Sequence, residues 1–324
     1  MLYRLPNQAL LVPRTSTLYS PQHAIRSLQT RAWLDGLRKA FGTRTYAMEN
    51  KWWDQSTVAV VTGANKGIGY EIARLLAEQG MTVVVTARNE ELGQAAVSKL
   101  QQLPSSSGST VQFQQLNIAN AGSVAAFAKW LQQQHGKLDI LVNNAGIAYK
   151  GNTFGADEAS TTIATNFLGT KAACEALLPL LTKPGGRIVN VSSTAGVLRG
   201  IPSEQLRARF ESPSGVDELV QLGDKFVEDI RAGRHTQEGW PSSMYGISKA
   251  LESSYTRVLA EQLKDAGVMV NCCCPGYCST DMSSWRGTQS AAAGADTPVW
   301  LALLPQEDFK TGGFYRDRKQ QSFT

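Results

Sequence analysis

Histidine and cysteine are scarce in this chain, at three and five residues among 324. The cysteines are Cys174, Cys272, Cys273, Cys274 and Cys278. Three consecutive cysteines in a strand alternate between its faces and cannot converge on one ion, so no metal site is expected. Reduced, buried thiols suit the pattern, as in an intracellular compartment. Long apolar runs are also missing: no stretch nears the roughly 18 to 20 residues that span a bilayer. Acids are missing from one place. Residues 1–47 carry six Arg and one Lys against the single acid Asp35, which leaves 25 bases and 26 acids for the remainder. The formal charge of +5 therefore sits in the first segment, and the nearly neutral body excludes a basic nucleic-acid face.

That first segment, rich in Arg, Ser, Thr and Gln, has a candidate basic amphipathic helix from about Ala24 to Phe41. Its composition is that of an organelle transit peptide rather than a secretory signal. Arg44-Thr45-Tyr46-Ala47 is similar to a mitochondrial processing site. A disordered tail, or an extension upstream of a start at Met48, stays open beside it. The expected organisation is a leader or tail over 1–47 and one body over 48–324. Its place is the mitochondrion or chloroplast if the leader is an address, and the cytoplasm otherwise.

From residue 57 onward, strand-like and helix-like segments alternate. Strands are expected at Thr57–Val61, Thr82–Thr86, Val111–Leu116, Asp139–Val142, Arg187–Val191 and Val268–Cys273. Helices are expected at Tyr70–Gln79, Glu90–Leu103, about Asn120–His135, about Asp157–Leu181 and about Met244–Leu263. Such alternation predicts a single-domain α/β fold with a doubly wound parallel sheet covered on both faces. A polar, charged insert over about 199–240 breaks the rhythm, with helices expected at Ser203–Phe210 and Val216–Ala232.

Directly after the first strand comes Thr62-Gly63-Ala64-Asn65-Lys66-Gly67-Ile68-Gly69. A strand, a glycine turn and a helix start make an anion site, because the backbone can approach a pyrophosphate and the helix end offers free N–H groups. Many strand–helix corners need glycine for packing alone, so the turn by itself decides little. Tyr245 and Lys249 stand at i and i+4 and share a helix face. An ammonium beside a phenol favours its ionised form, which suits a proton donor. Ser192 and Ser193 close the fifth strand at the edge where open parallel sheets bind ligands, although a serine pair there is equally a turn.

Taken together, Thr62-Gly63-x-x-x-Gly67-Ile68-Gly69, Asn143-Asn144-Ala145-Gly146, Asn166, Ser193 and Tyr245-x-x-x-Lys249 resemble the short-chain dehydrogenase/reductase family over about residues 56–317. The branch they resemble is that of the carbonyl reductases with their plant monoterpenoid and alkaloid reductase relatives. Glu238-Gly239-Trp240-Pro241-Ser242-Ser243 and Thr297-Pro298-Val299-Trp300 add to the likeness. The resemblance implies a Rossmann fold and an NADPH-dependent carbonyl reductase acting on an aldehyde, ketone or quinone. It makes Tyr245 the proton donor, with Lys249 lowering its pKa and holding the nicotinamide ribose. Ser193 polarises the carbonyl, and Asn166 holds a water that links Lys249 to solvent. It assigns cofactor binding to Gly63, Asn65, Lys66, Gly67, Ile68, Gly69, Arg88, Asn117, Ile118, Asn144, Tyr245, Lys249, Cys278 and Thr280.

Arg88 after the second strand and Lys66 in the turn suit the 2′-phosphate of NADP. Glu90, Glu91 and Leu92 temper this, because a second base is usual in some relatives. Asn117 stands where the family has Asp, Tyr277 where Trp is frequent, and Cys274 is either a reactive thiol or a small buried hydrophobe. A small-molecule carbonyl is the expected partner, with no nucleic acid and no membrane span. The family's assembly helices begin near Asp157 and Met244, and an insert over the second predicts a monomer. An NADP-dependent terpenoid or steroid alcohol dehydrogenase is the alternative, and a non-catalytic NADPH-sensing protein a more distant one.

Overall fold

A computed structural model of the protein describes residues 51–103, 108–308 and 310–324. The expected leader and its processing site lie outside them. Six strands form where the apolar runs predict: β1 Val58–Val61, β2 Thr82–Ala87, β3 Thr110–Gln115, β4 Ile140–Asn143, β5 Arg187–Val191 and β6 Met269–Cys273. All but β3 are buried along their whole length. Burial on both faces is why they read as continuous Val/Ile-rich runs rather than alternating ones.

Nine α-helices are described: α1 Gly67–Ala77, α2 Glu90–Gln101, α3 Ala121–Gln134, α4 Ala156–Ile163, α5 Gly169–Leu177, α6 Glu204–Glu211, α7 Val216–Arg231, α8 Met244–Leu263 and α9 Ala291–Ala302. Local sequence sets several starts. The side chains of Asn89, Asn120, Ser203, Ser243 and Ser290 each accept a hydrogen bond from a first-turn N–H. The sheet runs β3-β2-β1-β4-β5-β6-β7-β8, so the winding reverses between β1 and β4, and a crevice opens at their C-terminal ends.

Three features differ from expectation. The sheet has eight strands, because β7 (Phe314–Arg316) pairs parallel to β6 and β8 (Lys319–Gln321) returns antiparallel. Asp317 and Arg318, at φ of 51° and 59°, make the two-residue turn between them. Three-residue strands are too short to show a period. Secondly, the single helix expected over Asp157–Leu181 is broken into α4, a π-helical turn Ala164–Leu168, α5 and a 3₁₀ turn Leu178–Leu180. Thirdly, α9 has no expected counterpart. Its alanine-rich start and internal Pro298 hide a helix that packs on α1.

The insert folds as expected into two helices, α6 and α7. Leu219, Leu222 and Phe226 are fully buried against the body, and Gly223 lies close to Ile163 of α4 and Leu251 of α8. The insert therefore covers α4 as well as α8. Trp240 closes it, donating 2.8 Å from its indole to the buried carboxylate of Asp229, which also meets Lys225 and Arg234.

Candidate active site

At the crevice, the turn after β1 is clamped to the turn after β4. Thr62 Oγ1 accepts the N–H groups of Asn144 (2.9 Å) and Ala145 (3.0 Å). The Asn144 side chain donates back to the carbonyls of Thr62 (3.0 Å) and Gly63 (3.2 Å). The approach is so close that a Cβ on Gly69 would sit 2.3 Å from the Asn144 amide nitrogen. Asn144 is thus a strut of the turn, and its amide N–H groups are spent inside the protein. At its N-terminus α1 has no side-chain cap, unlike five of its fellow helices. The first N–H groups of a helix have no intrahelical partner, and without a side-chain cap this is the arrangement that accepts a phosphate. Thr280 from the loop after β6 packs against Gly67 and walls this end.

Across the crevice, α8 carries Tyr245, Lys249 and Glu252 on one face. Gly196, in the turn after Ser193, lets the serine loop press on α8, where a Cβ would be 2.5 Å from the Lys249 carbonyl carbon. The Lys249 ammonium donates to the Val191 carbonyl at 2.8 Å and to Glu252 Oε2 at 2.7 Å, and lies 5.9 Å from the centre of the Tyr245 ring. Burial pushes the Tyr245 phenol up. Lys249 and the nearby Ser193 hydroxyl pull it down, Glu252 pushes it up again, and the net direction is upward. Lys249 thus acts in the expected sense, with burial and the Glu252 carboxylate working against it. For Lys249 itself, burial pulls the ammonium down, while Glu252 with the Tyr245 phenol pushes it up, and the net direction is upward, so it is held charged.

Asn166 lies in the π-helical turn, fully buried. Its Oδ1 accepts the Ile147 N–H at 2.8 Å, while its Nδ2 donates to the Ile147 carbonyl at 2.9 Å and to Ser248 Oγ at 3.0 Å. The side chain fixes the turn after β4 to α8, and its Oδ1 keeps a second lone pair.

Other expected site residues are spread more widely. Arg88 is exposed at the end of β2. Asn117 is exposed too, with Oδ1 accepting the Ala119 N–H at 3.2 Å. Ile118 is buried in the core, so only its backbone can meet a ligand. Cys278 is buried, with Sγ 3.3 Å from the Pro275 carbonyl and against Gly294 of α9. Cys274 is likewise buried. Lys66 is exposed and ion-paired with Asp281, which reaches over from the loop after β6. Asn65 stands in the turn and Ile68 in the first turn of α1, both half-buried.

Two residues of this region escaped the sequence reading, Glu252 and Asp281. The signal for Glu252 was available. An acid three residues after Lys249, in the small-residue run Ala250–Ser254 of a helix that must be covered, has to point at something.

Comparison with known proteins follows the same outline. A family model described as short chain dehydrogenase matches residues 57–204 and 232–290, and the gap between them holds α7 and all but the first residue of α6. Carbonyl reductase (NADPH) 1 of Mus musculus is 45% identical over 273 residues, covering 81% of this chain and 96% of that protein. Among solved structures, salutaridine reductase from Papaver somniferum superposes with a TM-score of 0.73 at 32% identity, over 80% of this chain and 99% of that one. Menthone neomenthol reductase from Mentha piperita gives 0.69 at 33% identity, over 80% and 97%.

Proposed function

The chain belongs to the short-chain dehydrogenase family, and from that premise we propose that it reduces the carbonyl of an aldehyde, ketone or quinone with Tyr245 as proton donor. It is an NADPH-dependent oxidoreductase. The residues present fit that cofactor. The uncapped N-terminus of α1, reached through Gly63 to Gly69, accepts the pyrophosphate. Arg88 is the guanidinium for the 2′-phosphate, and Asn117 can still accept from the adenine amino group through its second lone pair. NADPH supplies the hydride when bound.

The observation that carries the reading is the grouping of Tyr245, Ser193 and the buried Lys249 ammonium at the C-terminal edge of the sheet, beside the glycine turn. Tyr245 gives its phenolic proton to the carbonyl oxygen as negative charge develops there. The Ser193 hydroxyl orients that oxygen and stabilises the charge. Lys249 has three N–H bonds, of which Val191 and Glu252 take two, and the third is left for a ribose hydroxyl. Asn166 keeps the turn at Gly146 and Ile147 in place. Exposed Tyr149, Tyr277, Met282 and Trp285 extend from loops after β4 and β6, an apolar rim suited to a bulky organic carbonyl.

Tyr245→Phe tests this. Turnover should fall by about 10²- to 10⁴-fold while NADPH binding, read by nucleotide fluorescence, is kept. Undiminished turnover removes the mechanism. NADPH oxidation against a panel of quinones, aldehydes and cyclic ketones tests the substrate class, and a panel with no active member overturns it. The cover that α6 and α7 lay over α4 and α8 supports a monomer, and light scattering on a sizing column should read one chain. A stable tetramer would contradict that.

A further inference from the structure

Around Lys249 lies a cluster of buried polar side chains, Ser192, Glu252 and Ser253, with one carboxylate in it. The side chains of Lys249 and Glu252 are 4% and 1% exposed. The Ser192 hydroxyl is 2.7 Å from Ser253 Oγ and donates to the Lys249 carbonyl at 3.2 Å. The hydroxyls of Ser192 and Thr170 also face the Glu252 carboxylate.

We propose that Glu252 is a positioning residue of the reaction: as the internal counter-ion of Lys249, it fixes where the ammonium sits and how much of its charge Tyr245 feels. The proposal rests on the reading of Tyr245 as proton donor. A lone ammonium beside a phenol would draw out its proton. Here the ammonium is shared with a carboxylate at 2.7 Å and a carbonyl at 2.8 Å. The carboxylate offsets part of the field that the ammonium alone would set at the phenol, so Tyr245 keeps its proton over a wider alkaline range.

Other titratable groups around the pair do not supply this charge. Burial pushes the thiols of Cys174 on α5 and Cys272 on β6 up to about 12, and Cys273 well above its ordinary value, so all three stay neutral. Cys274 faces Tyr245 from the end of β6, and Glu175 lies beyond Cys174. Glu252 is the buried acid in contact with Lys249.

The test is the pH profile of kcat for reduction in wild type and Glu252→Gln, using the panel carbonyl that oxidises NADPH fastest. The glutamine keeps the shape and removes the charge. The alkaline fall in rate should move to lower pH by about one unit or more. Superimposable profiles from a folded Glu252→Gln enzyme overturn the proposal. Should that variant not fold, an ultraviolet difference titration of wild type against Tyr245→Phe decides it. The Tyr245 phenolate should appear only at or above the ordinary tyrosine value of about 10, and ionisation well below that overturns the proposal. Full turnover in Tyr245→Phe removes the proton-donor reading itself. An unshifted Glu252→Gln profile beside an inactive Tyr245→Phe removes only the role of Glu252.

Discussion

Lys66 meets Asp281 with 63% and 45% of the two side chains exposed, whereas Lys249 meets Glu252 with 4% and 1%. The same two charges therefore do different work. At the crevice mouth, water and salt screen the pair, and either partner can leave at little cost. Under α8 there is no water to replace a lost partner, and each charge depends on the other for its stability. The exposed pair is adjustable and suits a place where a charged ligand must enter. The buried pair is a fixed part of the α8 face that carries Tyr245.

Removing the buried cation should produce the largest effect. Lys249→Met leaves Glu252 without its counter-ion, at a cost of about 3–5 kcal/mol, on the order of 10 °C in Tm for a body of this size. The sign with pH follows from Glu252. Burial already raises its pKa in the folded protein, and Lys249 is what holds it down. Without the lysine it rises further. A carboxyl whose folded pKa is raised contributes fully below its unfolded value near 4.5 and loses that contribution as pH climbs through the folded value. The Tm deficit of Lys249→Met against wild type should therefore be small at pH 5 and large at pH 8. Equal deficits would mean that Glu252 carries no charge in the fold, and the contrast between the two pairs would collapse.

That contrast also marks what the sequence made legible. The glycine turn and the Tyr245/Lys249 spacing are local signals. One needs a strand before it and a helix after it, and the other needs only helical geometry, so both could be read without the fold. Partners drawn from distant segments could not. Asp281 reaches Lys66 across 215 positions, and Asn166 meets Ser248 across 82. Glu252 was close enough in sequence to be noticed, three residues after Lys249 on a helix that must be covered, but an acid on a helix is ordinarily solvated, which hides the signal. The last two strands were missed for another reason. β7 and β8 are three residues each and gain their pairing from β6, not from any pattern of their own.

Disturbing the exposed pair should give the smallest effect, and its direction is informative. Asp281→Asn leaves Lys66 charged and removes its present partner, so stability should hardly change because the pair is open to solvent. The freed ammonium lies on the glycine turn, one residue before α1. If it serves the 2′-phosphate, NADPH should bind more tightly by no more than about fivefold, NADH should not, and the gain should fade in 0.5 M salt. Equal gains for the two nucleotides would place Lys66 at the pyrophosphate they share and leave Arg88 alone to read the 2′-phosphate. A weaker affinity for both would show that Asp281 holds Lys66 in position for the ligand rather than competing with it, which would make the exposed pair resemble the buried one in purpose if not in strength.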